Sequence, residues 1–316
     1  MRTIAITDCD HAGMEEEKRV FSEAGVSMDV YQCHTENELI EKIQGYDVIG
    51  NQYAPMTERV FQNLPGLKCV VRYGVGMDHI DIAAATRHGV TICNVPDYGV
   101  QEVASQALTF MFALCRKLVM MNASVRAGHW NYELSIPIRR LSRMTVGILG
   151  IGRIGSAFAH MIRNLGCRII AYDPLYADGK RRPCEGVEVV GFETLLRDAD
   201  VISIHTPLET SRNLVSEEQL RMMKPSAYII NVARGGIINE DALDRALEEK
   251  WIAGAACDVL CSEPPGTAHK LLRHENFLCT PHMAWYSEEA SLDLKTKLAE
   301  EIVRALNGEA LHYRLN

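Results

Sequence analysis

Short apolar runs alternate with amphipathic stretches over the first hundred residues of the chain. The short runs predict buried strands over 3–7, 28–31, 47–50, 68–72 and 90–93. The stretches between them repeat apolar residues at helical spacing and predict helices over 12–24, 35–43, 57–63 and 80–87. Repeated strand–helix units of this kind predict a parallel sheet covered by helices on both faces.

A second strand–helix series begins near residue 144, after a long helix predicted over 100–121. That helix is apolar nearly all round, so we expect it to be buried, either within the chain or between two subunits. The predicted strands of the series are 144–149, 168–172, 187–190, 201–205, 227–232 and 252–259, and the helices are 154–165, 192–198, 217–223 and 240–250. A last helix over 287–307 follows the final loop, so we expect the chain to return there to its first domain.

A glycine-rich turn joins the strand 144–149 to the next helix. Gly150, Gly152 and Gly155 form the pattern G-x-G-x-x-G directly after the strand. The first glycine permits a sharp turn, the second lets a pyrophosphate approach the backbone, and the third lets the helix pack closely on the strand. In this context the pattern predicts a dinucleotide-binding βαβ unit.

Two neighbouring features complete the predicted dinucleotide site. The helix N-terminus at Arg153 and Ile154 offers unpaired N–H groups and a partial positive charge to phosphates. Asp173 ends the following strand, where it would accept hydrogen bonds from the ribose hydroxyls and repel a 2′-phosphate. This favours NAD over NADP, although Arg181 and Arg182 are near enough in sequence to leave the choice open.

Composition excludes several other classes of protein. The chain has 316 residues, a net charge of −8, and 47% apolar and 23% charged residues, which argues against nucleic-acid binding. No apolar run reaches membrane-spanning length, and the residues before the first strand lack the long apolar region of a signal peptide, so we expect none. Ten cysteines occur without a C-x-x-C or other metal-binding spacing, so we expect no metal site and a reducing cytoplasm.

Polar residues at successive strand ends of the second series predict catalytic chemistry. In open parallel sheets, ligands bind beyond the carboxyl ends of the strands, which is where Arg234, Glu263 and His282 fall. The imidazole of His282 suits proton transfer near neutrality, and the carboxylate of Glu263 would orient it and favour its charged form. The guanidinium of Arg234 would bind a substrate carboxylate and polarise its carbonyl group.

These motifs resemble those of the D-isomer-specific 2-hydroxyacid dehydrogenase family over nearly the whole chain. The resemblance is carried by segments 70–81, 94–96 and 101–104 together with the glycine fingerprint, Asp173 and the strand-end motifs. It implies two doubly wound parallel-sheet α/β (Rossmann/flavodoxin-like) domains with a cleft between them. Residues 1–98 plus 287–316 would form a discontinuous substrate-binding domain, and residues 99–286 the NAD-binding domain.

The resemblance also implies individual contacts. Arg234, Glu263 and His282 form the implied catalytic set, the N–H groups of Val75 and Gly76 bind the substrate acid, and Asp258 holds the nicotinamide carboxamide. The cofactor-binding residues as a set are Gly150, Gly152, Arg153, Ile154, Gly155, Asp173, His205, Thr206, Pro207, Val232, Ala233, Arg234, Asp258 and His282.

One branch of the family looks most similar. Segment 281–291 resembles the C-terminal-binding-protein branch, and the arginine just before the substrate loop agrees with it. In that branch the corresponding arginine and tryptophan line the substrate pocket, which implies that role for Arg72 and Trp285. A hinge-packing role for Trp285 remains open.

Together these observations predict an NAD-dependent enzyme that interconverts a D-2-hydroxy acid and its 2-oxo acid by hydride transfer. The alternative is a binding protein, similar to the branch's corepressors, that senses NAD(H) and turns over little substrate. The family resemblance further implies a homodimer built around the 100–121 helix. The net charge and the lack of a membrane-spanning run predict no nucleic-acid or membrane partner.

Overall fold

The computed structural model describes residues 2–176 and 184–316, and the chain forms two compact units. The first unit comprises Met1–Gly99 and Ser287–Asn316, and the second comprises Val100–Tyr286. Each unit contains one sheet whose strands are all parallel, as expected for alternating strands and helices.

The predicted elements are confirmed, with ends that shift by up to three residues, except for the long helix described below. The strands are β1 (Arg2–Ile6), β2 (Val26–Val30), β3 (Val48–Asn51), β4 (Cys69–Arg72), β5 (Thr91–Cys93), β6 (Thr145–Leu149), β7 (Arg168–Tyr172), β8 (Val187–Val189), β9 (Val201–Ile204), β10 (Tyr228–Asn231), β11 (Gly254–Cys257) and β12 (Phe277–Cys279). The helices are α1 (Glu15–Glu23), α2 (Glu36–Lys42), α3 (Glu58–Asn63), α4 (Ile82–Arg87), α5 (Val100–Cys115), α6 (Leu118–Arg126), α7 (Arg153–Ile162), α8 (Phe192–Asp198), α9 (Glu217–Met222), α10 (Glu240–Glu248) and α11 (Glu288–Asn307).

The first unit has five strands in the order β2-β1-β3-β4-β5. The order reverses at β1, so the crevice for a ligand is expected at the carboxyl ends of β1 and β3. The helix α11, which returns from the second unit, packs against β3, β4 and α1. Its side chains Leu298 and Ile302 lie close to Gly50 of β3, where a Cβ would crowd Ile6. The last helix is therefore part of the first unit's core.

The second unit has seven strands in the order β12-β11-β10-β9-β6-β7-β8. The strands β6, β9, β10, β11 and β12 are consecutive neighbours in the sheet, although they are far apart along the chain. Their inner positions are almost entirely buried apolar residues, as in a sheet covered on both faces. This topology brings the ends of five strands to one edge.

The expectation of one buried helix over 100–121 is wrong. The chain forms α5 and α6 instead, which meet at an angle of 57° around Lys117, a residue in the left-handed conformation with φ 50°. The helix α5 packs against α7 and β10 and buries one face, whereas α6 has no buried residue. The buried positions of α5 continue to Cys115, whereas α6 contributes no buried side chain, so the contact with the core ends where the chain bends.

A search of the described residues finds no single helix of the length and apolarity needed to cross a membrane. The bent pair α5 and α6 meets that requirement only when its two helices are taken together.

Candidate active site at the carboxyl edge of the second sheet

The side chains predicted to carry chemistry lie beyond the ends of adjacent strands in the second unit. His205 follows β9, Arg234 lies in the turn after β10, Glu263 in the loop after β11, and His282 after β12. Because β9, β10, β11 and β12 are neighbours and parallel, all four residues emerge at the same edge of the sheet. Gly150 emerges at that edge from β6, next to β9.

His282 and Glu263 form a hydrogen-bonded pair at this edge. Their Nδ1 and Oε2 atoms are 2.6 Å apart, and the second carboxylate oxygen accepts a hydrogen bond of 2.9 Å from the N–H of Leu260. Both side chains are about one-third exposed, so the pair is open to solvent and to a ligand. Within the described residues Nε2 of His282 makes no hydrogen bond, which leaves that nitrogen available for proton transfer.

The turn that carries His282 is held by Asp258. His282 has φ 51°, a left-handed conformation that is strained for a residue with a side chain, and its N–H donates to the carbonyl of Asp258 at 2.8 Å. The Asp258 carboxylate accepts hydrogen bonds from the hydroxyl of Thr280, the N–H of Met283 at 3.0 Å and the N–H of Ala284 at 2.8 Å. Burial raises the pKa of this carboxyl, which these donors oppose. Asp258 therefore fixes the turn, and its contact with a nicotinamide carboxamide stays a prediction.

Asn231 shapes the turn that carries Arg234, a role that sequence reasoning did not assign. Its side-chain oxygen accepts from the N–H of Ala233 at 3.0 Å, and its amide group donates to the carbonyl of Arg234 at 2.8 Å. A Cβ on Gly235 would collide with the backbone of Leu260, so the turn packs directly against the loop that leads to Glu263. An asparagine at a strand end followed by small residues is the signal that could have revealed this turn.

The charge of Arg234 also acts on Glu263, the acid of the hydrogen-bonded pair. Burial raises the pKa of the Glu263 carboxyl, but the hydrogen bond and charge of His282, the Leu260 N–H and the charge of Arg234 outweigh it. The net result is a pKa below the usual value for glutamate, so Glu263 stays ionised near neutrality. The ionised carboxylate is the hydrogen-bond partner of the His282 ring and holds its orientation.

The glycine turn has the shape that a pyrophosphate requires. Gly150 has φ 94°, and a Cβ there would crowd the carbonyl of His205. A Cβ on Gly155 would collide with the carbonyl of Gly150. At Gly152, by contrast, no described residue beyond its two chain neighbours has an atom within 4 Å of the Cβ position. The space at Gly152 opens in front of the N-terminus of α7, a helix of ten residues that begins at Arg153 and continues through Ile154.

Two buried polar atoms beside this turn have no hydrogen-bond partner in the described residues. They are Nδ1 of His205 and Oγ1 of Thr206, which precede Pro207 after β9. Unpaired buried polar atoms are costly, so their position next to Gly150 fits a bound polar ligand such as the dinucleotide. Burial lowers the pKa of His205 to about 3, so this imidazole is neutral at physiological pH. Val232 and Ala233, the other predicted contacts, follow β10 at the same edge.

Asp173 lies at the end of β7 as predicted, but it is largely engaged by the backbone. Its two oxygens accept from the N–H groups of Ile151 and Leu175, each at 2.9 Å. Each oxygen keeps further acceptor capacity for a ribose hydroxyl. Arg181 and Arg182, which left the choice between NAD and NADP open, lie outside the described residues.

The predicted substrate loop lies in the first unit, after β4. The carbonyls of Gly74 and Val75 accept from the N–H of Val95 and the side-chain amide of Asn94, each at 3.0 Å. Within the described residues the N–H groups of Val75 and Gly76 make no hydrogen bond, so both remain available to an anion.

Arg72 and Trp285, the two branch-specific residues, lie in different units. Arg72 is only 7% exposed and lies 5.7 Å from the ring centre of Tyr53. A Cβ on Gly74 would collide with its guanidinium, which therefore lies against the substrate loop. Trp285 is half-buried near the end of the second unit, with its ring edge-on to Tyr286 at 5.5 Å.

Comparison with known proteins identifies the family. The model for the NAD binding domain of D-isomer specific 2-hydroxyacid dehydrogenases matches residues 108–284. The chain belongs to this family. It is 35% identical to glycerate dehydrogenase of Methylorubrum extorquens over 283 residues, which cover 87% of each chain. The NAD-complexed D-isomer specific 2-hydroxyacid dehydrogenase of Lactobacillus delbrueckii ssp. bulgaricus has 25% identity and a TM-score of 0.80, with 99% of this chain and 100% of that chain covered.

Longer relatives match as well. The chain is 34% identical over 294 residues to D-3-phosphoglycerate dehydrogenase 2, chloroplastic, of Arabidopsis thaliana. The match covers 92% of this chain but 46% of that protein, so the chain spans about half the length of such relatives. The predictions of the family, of the parallel-sheet fold and of NAD as cofactor are confirmed. These relatives do not specify the C-terminal-binding-protein branch and give no support to the NAD(H)-sensing alternative.

The described residues contain no group of three or more histidine, cysteine, aspartate or glutamate side chains that could hold a metal ion.

Proposed function

We propose that this protein is an NAD-dependent enzyme that interconverts a D-2-hydroxy acid and the corresponding 2-oxo acid. The observation that carries the proposal is the 2.6 Å contact between His282 and Glu263, at the edge where Arg234 and the glycine turn also emerge. A proton donor, a fixed cation and a dinucleotide turn are the parts that such a reaction needs.

The proposed reduction moves one proton and one hydride. When bound, the reduced coenzyme supplies the hydride that reaches the carbonyl carbon of the 2-oxo acid. His282, protonated and held by Glu263, donates its proton from Nε2 to the carbonyl oxygen and becomes neutral. In the oxidation direction the same nitrogen accepts the proton of the hydroxyl group.

The substrate carboxylate is assigned to two groups of donors. Arg234 binds it in a bidentate manner and polarises the adjacent carbonyl, and the free N–H groups of Val75 and Gly76 bind it from the first unit. Arg72 assists there, and Trp285 lines the pocket, in line with the resemblance noted for the two residues.

A panel of 2-oxo acids tests this proposal. Wild-type protein and the His282→Ala variant are mixed with NADH, and the loss of NADH absorbance is followed for each acid. We expect turnover of at least one acid by the wild type and a D-2-hydroxy acid as product. NADH binding without turnover of any acid, or an L product, would contradict the proposal.

A homodimer is the second part of the proposal. Segment 118–138 exposes a concentration of large apolar side chains that is unusual for a surface in contact with water. These are Leu118, Val119, Val125, Trp130, Tyr132, Leu134, Ile136 and Ile138. Trp130 is 89% exposed. We propose that a second copy of the chain covers this surface, which involves α6 and the segment after it rather than one straight helix.

Light scattering after size-exclusion chromatography tests the dimer. Leu118→Asp combined with Leu134→Asp is expected to give a monomer, because burying two carboxylates at an interface is costly. The control is Leu292→Asp, which also replaces an exposed leucine but lies on α11 of the first unit. A wild-type monomer, or a variant that remains dimeric, would contradict this interface.

A reducing, cytoplasmic location is proposed on the basis of the cysteines. All ten have free thiols in the structure, and burial raises the pKa of several of them, including Cys115 to about 12. The net charge of −8 supports the absence of a nucleic-acid or anionic-membrane partner.

A further inference from the structure

The first residue of the substrate loop, Tyr73, reaches into the interior of the first unit. Tyr73 lies between β4 and Gly74, is only 2% exposed, and its N–H donates to the carbonyl of Asn51 at 2.8 Å. Its hydroxyl donates to Oε1 of Glu17 on α1 at 3.0 Å. This hydrogen bond therefore connects α1 to the first residue of the loop.

Glu17 occupies an environment that is unusual for a carboxyl group. It is completely buried, and its second oxygen has no hydrogen-bond partner in the described residues. Burial raises the pKa of this carboxyl, while the hydrogen bond from Tyr73 and the charge of Lys295 act in the opposite direction. Burial of an acid is costly, so an apolar side chain would fill the same space with less loss of stability.

Lys295 joins the same buried group from α11. It is 7% exposed, and its ammonium group donates to the carbonyls of Ala12 at 2.7 Å and Gly13 at 3.1 Å, just ahead of α1. The ring of His11 lies 5.5 Å from the ring of Tyr73. The start of α1 is thus fixed by α11, and α1 in turn supplies the acceptor for Tyr73.

Asn94 and Val95, the two residues after β5, donate hydrogen bonds to the carbonyls of Val75 and Gly74 and so hold this part of the substrate loop. The hydrogen bond from the Tyr73 hydroxyl to Glu17 holds the first residue of the loop against α1. These hydrogen bonds restrict the orientation of the peptide groups of Val75 and Gly76, and no described residue accepts a hydrogen bond from their N–H groups. Preorganised donors of this kind bind an anion without a cost for ordering the loop.

We propose that Glu17, acting through Tyr73, is a positioning residue that orients the N–H groups of Val75 and Gly76 toward the substrate carboxylate. The inference rests on the proposed function only in its reference to substrate. The holding of the loop by Glu17 is a separate claim with its own measurement.

Two variants test the proposal, Glu17→Met and Tyr73→Phe, because each removes one partner of the hydrogen bond and keeps a side chain of similar length. We expect the KM for the 2-oxo acid to rise about tenfold or more while kcat and NADH affinity stay within about twofold, because binding donors are lost rather than the proton donor. The double variant should have a KM no higher than the weaker-binding single variant, since both changes remove the same hydrogen bond. Tyr46→Phe is the matched control, because it removes a hydroxyl bonded to Asp29 in the same unit.

Hydrogen exchange provides a readout that needs no turnover. The N–H of Val95 donates to the carbonyl of Gly74, so we expect this N–H to exchange about fivefold faster or more in Glu17→Met and Tyr73→Phe but not in Tyr46→Phe. Unchanged exchange in both variants would overturn the proposal, as would faster exchange with an unchanged KM. If the wild type turns over no 2-oxo acid, the proposed function fails, and the exchange of Val95 alone decides whether Glu17 holds the loop.

Discussion

Glu263 in the second unit and Glu17 in the first each contact one ring side chain, but their surroundings are opposite. Glu263 is about one-third exposed, is bonded to His282 and has a lowered pKa. Glu17 is fully buried, is bonded to Tyr73 and has a raised pKa. Environment therefore fits the first carboxylate to charge stabilisation during proton transfer and the second to holding a loop.

The largest expected effect is on kcat and comes from replacing His282, the proposed proton donor, rather than Glu263, which holds it. His282→Ala should lower kcat by about 100- to 10,000-fold, the range for loss of general acid–base catalysis, with little change in NADH affinity. Stopped-flow turnover and NADH fluorescence titration measure the two quantities. His274→Ala is the control, since His274 also contacts a carboxylate, Asp244 at 2.8 Å, in the same unit. Equal turnover by the His282 variant and the wild type would remove His282 from the reaction.

Glu263→Gln addresses the exposed half of the comparison directly. The amide can still bond to the imidazole but carries no charge, so kcat should fall by roughly 10- to 150-fold, the equivalent of about 1.5–3 kcal/mol. Glu17→Met, which removes the acceptor of the Tyr73 hydroxyl in the first unit, should alter KM instead. Steady-state kinetics of both variants with the same 2-oxo acid measure this difference, and a common pattern in the two variants would end the distinction.

A third carboxylate, Asp173, extends the comparison to the cofactor. Asp173→Ala should narrow the preference for NAD over NADP by about tenfold or more, because a hydrogen bond to a charged group contributes about 1.5–3 kcal/mol. The ratio of kcat/KM for the two cofactors is the quantity to measure, since the backbone bonds of Asp173 also stabilise the turn. A constant ratio would show that another residue contacts the ribose.

The imidazole of His205 is enclosed by the protein, whereas that of His282 is about one-third exposed. The effect of His205 should therefore be seen in the free energy of unfolding. Its pKa is lowered from 6.5 to about 3, so below pH 6.5 the unfolded chain binds a proton that the folded chain does not. Stability from this group is complete above pH 6.5 and is lost as pH falls toward 3, by up to about 1.4 kcal/mol per pH unit. His205→Gln should reduce this slope in urea unfolding measured between pH 6.5 and 4, and an unchanged slope would contradict the assignment.

Sequence reasoning located the features whose position depends on neighbouring residues or on the repeated strand–helix order. Arg234, Glu263 and His282 were placed by one rule, that parallel strands end at a common edge, and Asp173 was placed by the dinucleotide-binding pattern that begins with the glycine turn. Their positions agree with the structure, and their roles stay predictions. The glycine turn follows from backbone sterics within six residues, 150–155. These features depend little on which side chains meet across the core.

The parts that were missed depend on contacts between distant segments. Glu17 and Tyr73 are 56 positions apart, and an acid near the start of a helix pattern is ordinarily exposed. The break at Lys117 depends on where the core beneath α5 ends, which the apolar sequence of α6 conceals. The three donors that engage Asp258 come from the turn after β12, so their convergence requires the folded sheet.

The central claim is that a hydride and the proton of His282 reach the same carbonyl group. It is tested most directly by reduction of the 2-oxo acid panel with NADH deuterated at C4 on the transferred side, followed by NMR of the products. We predict a D-2-hydroxy acid with deuterium on C2 for the wild type and almost no product for His282→Ala. A product without deuterium at C2, or equal product from the variant, would contradict the claim.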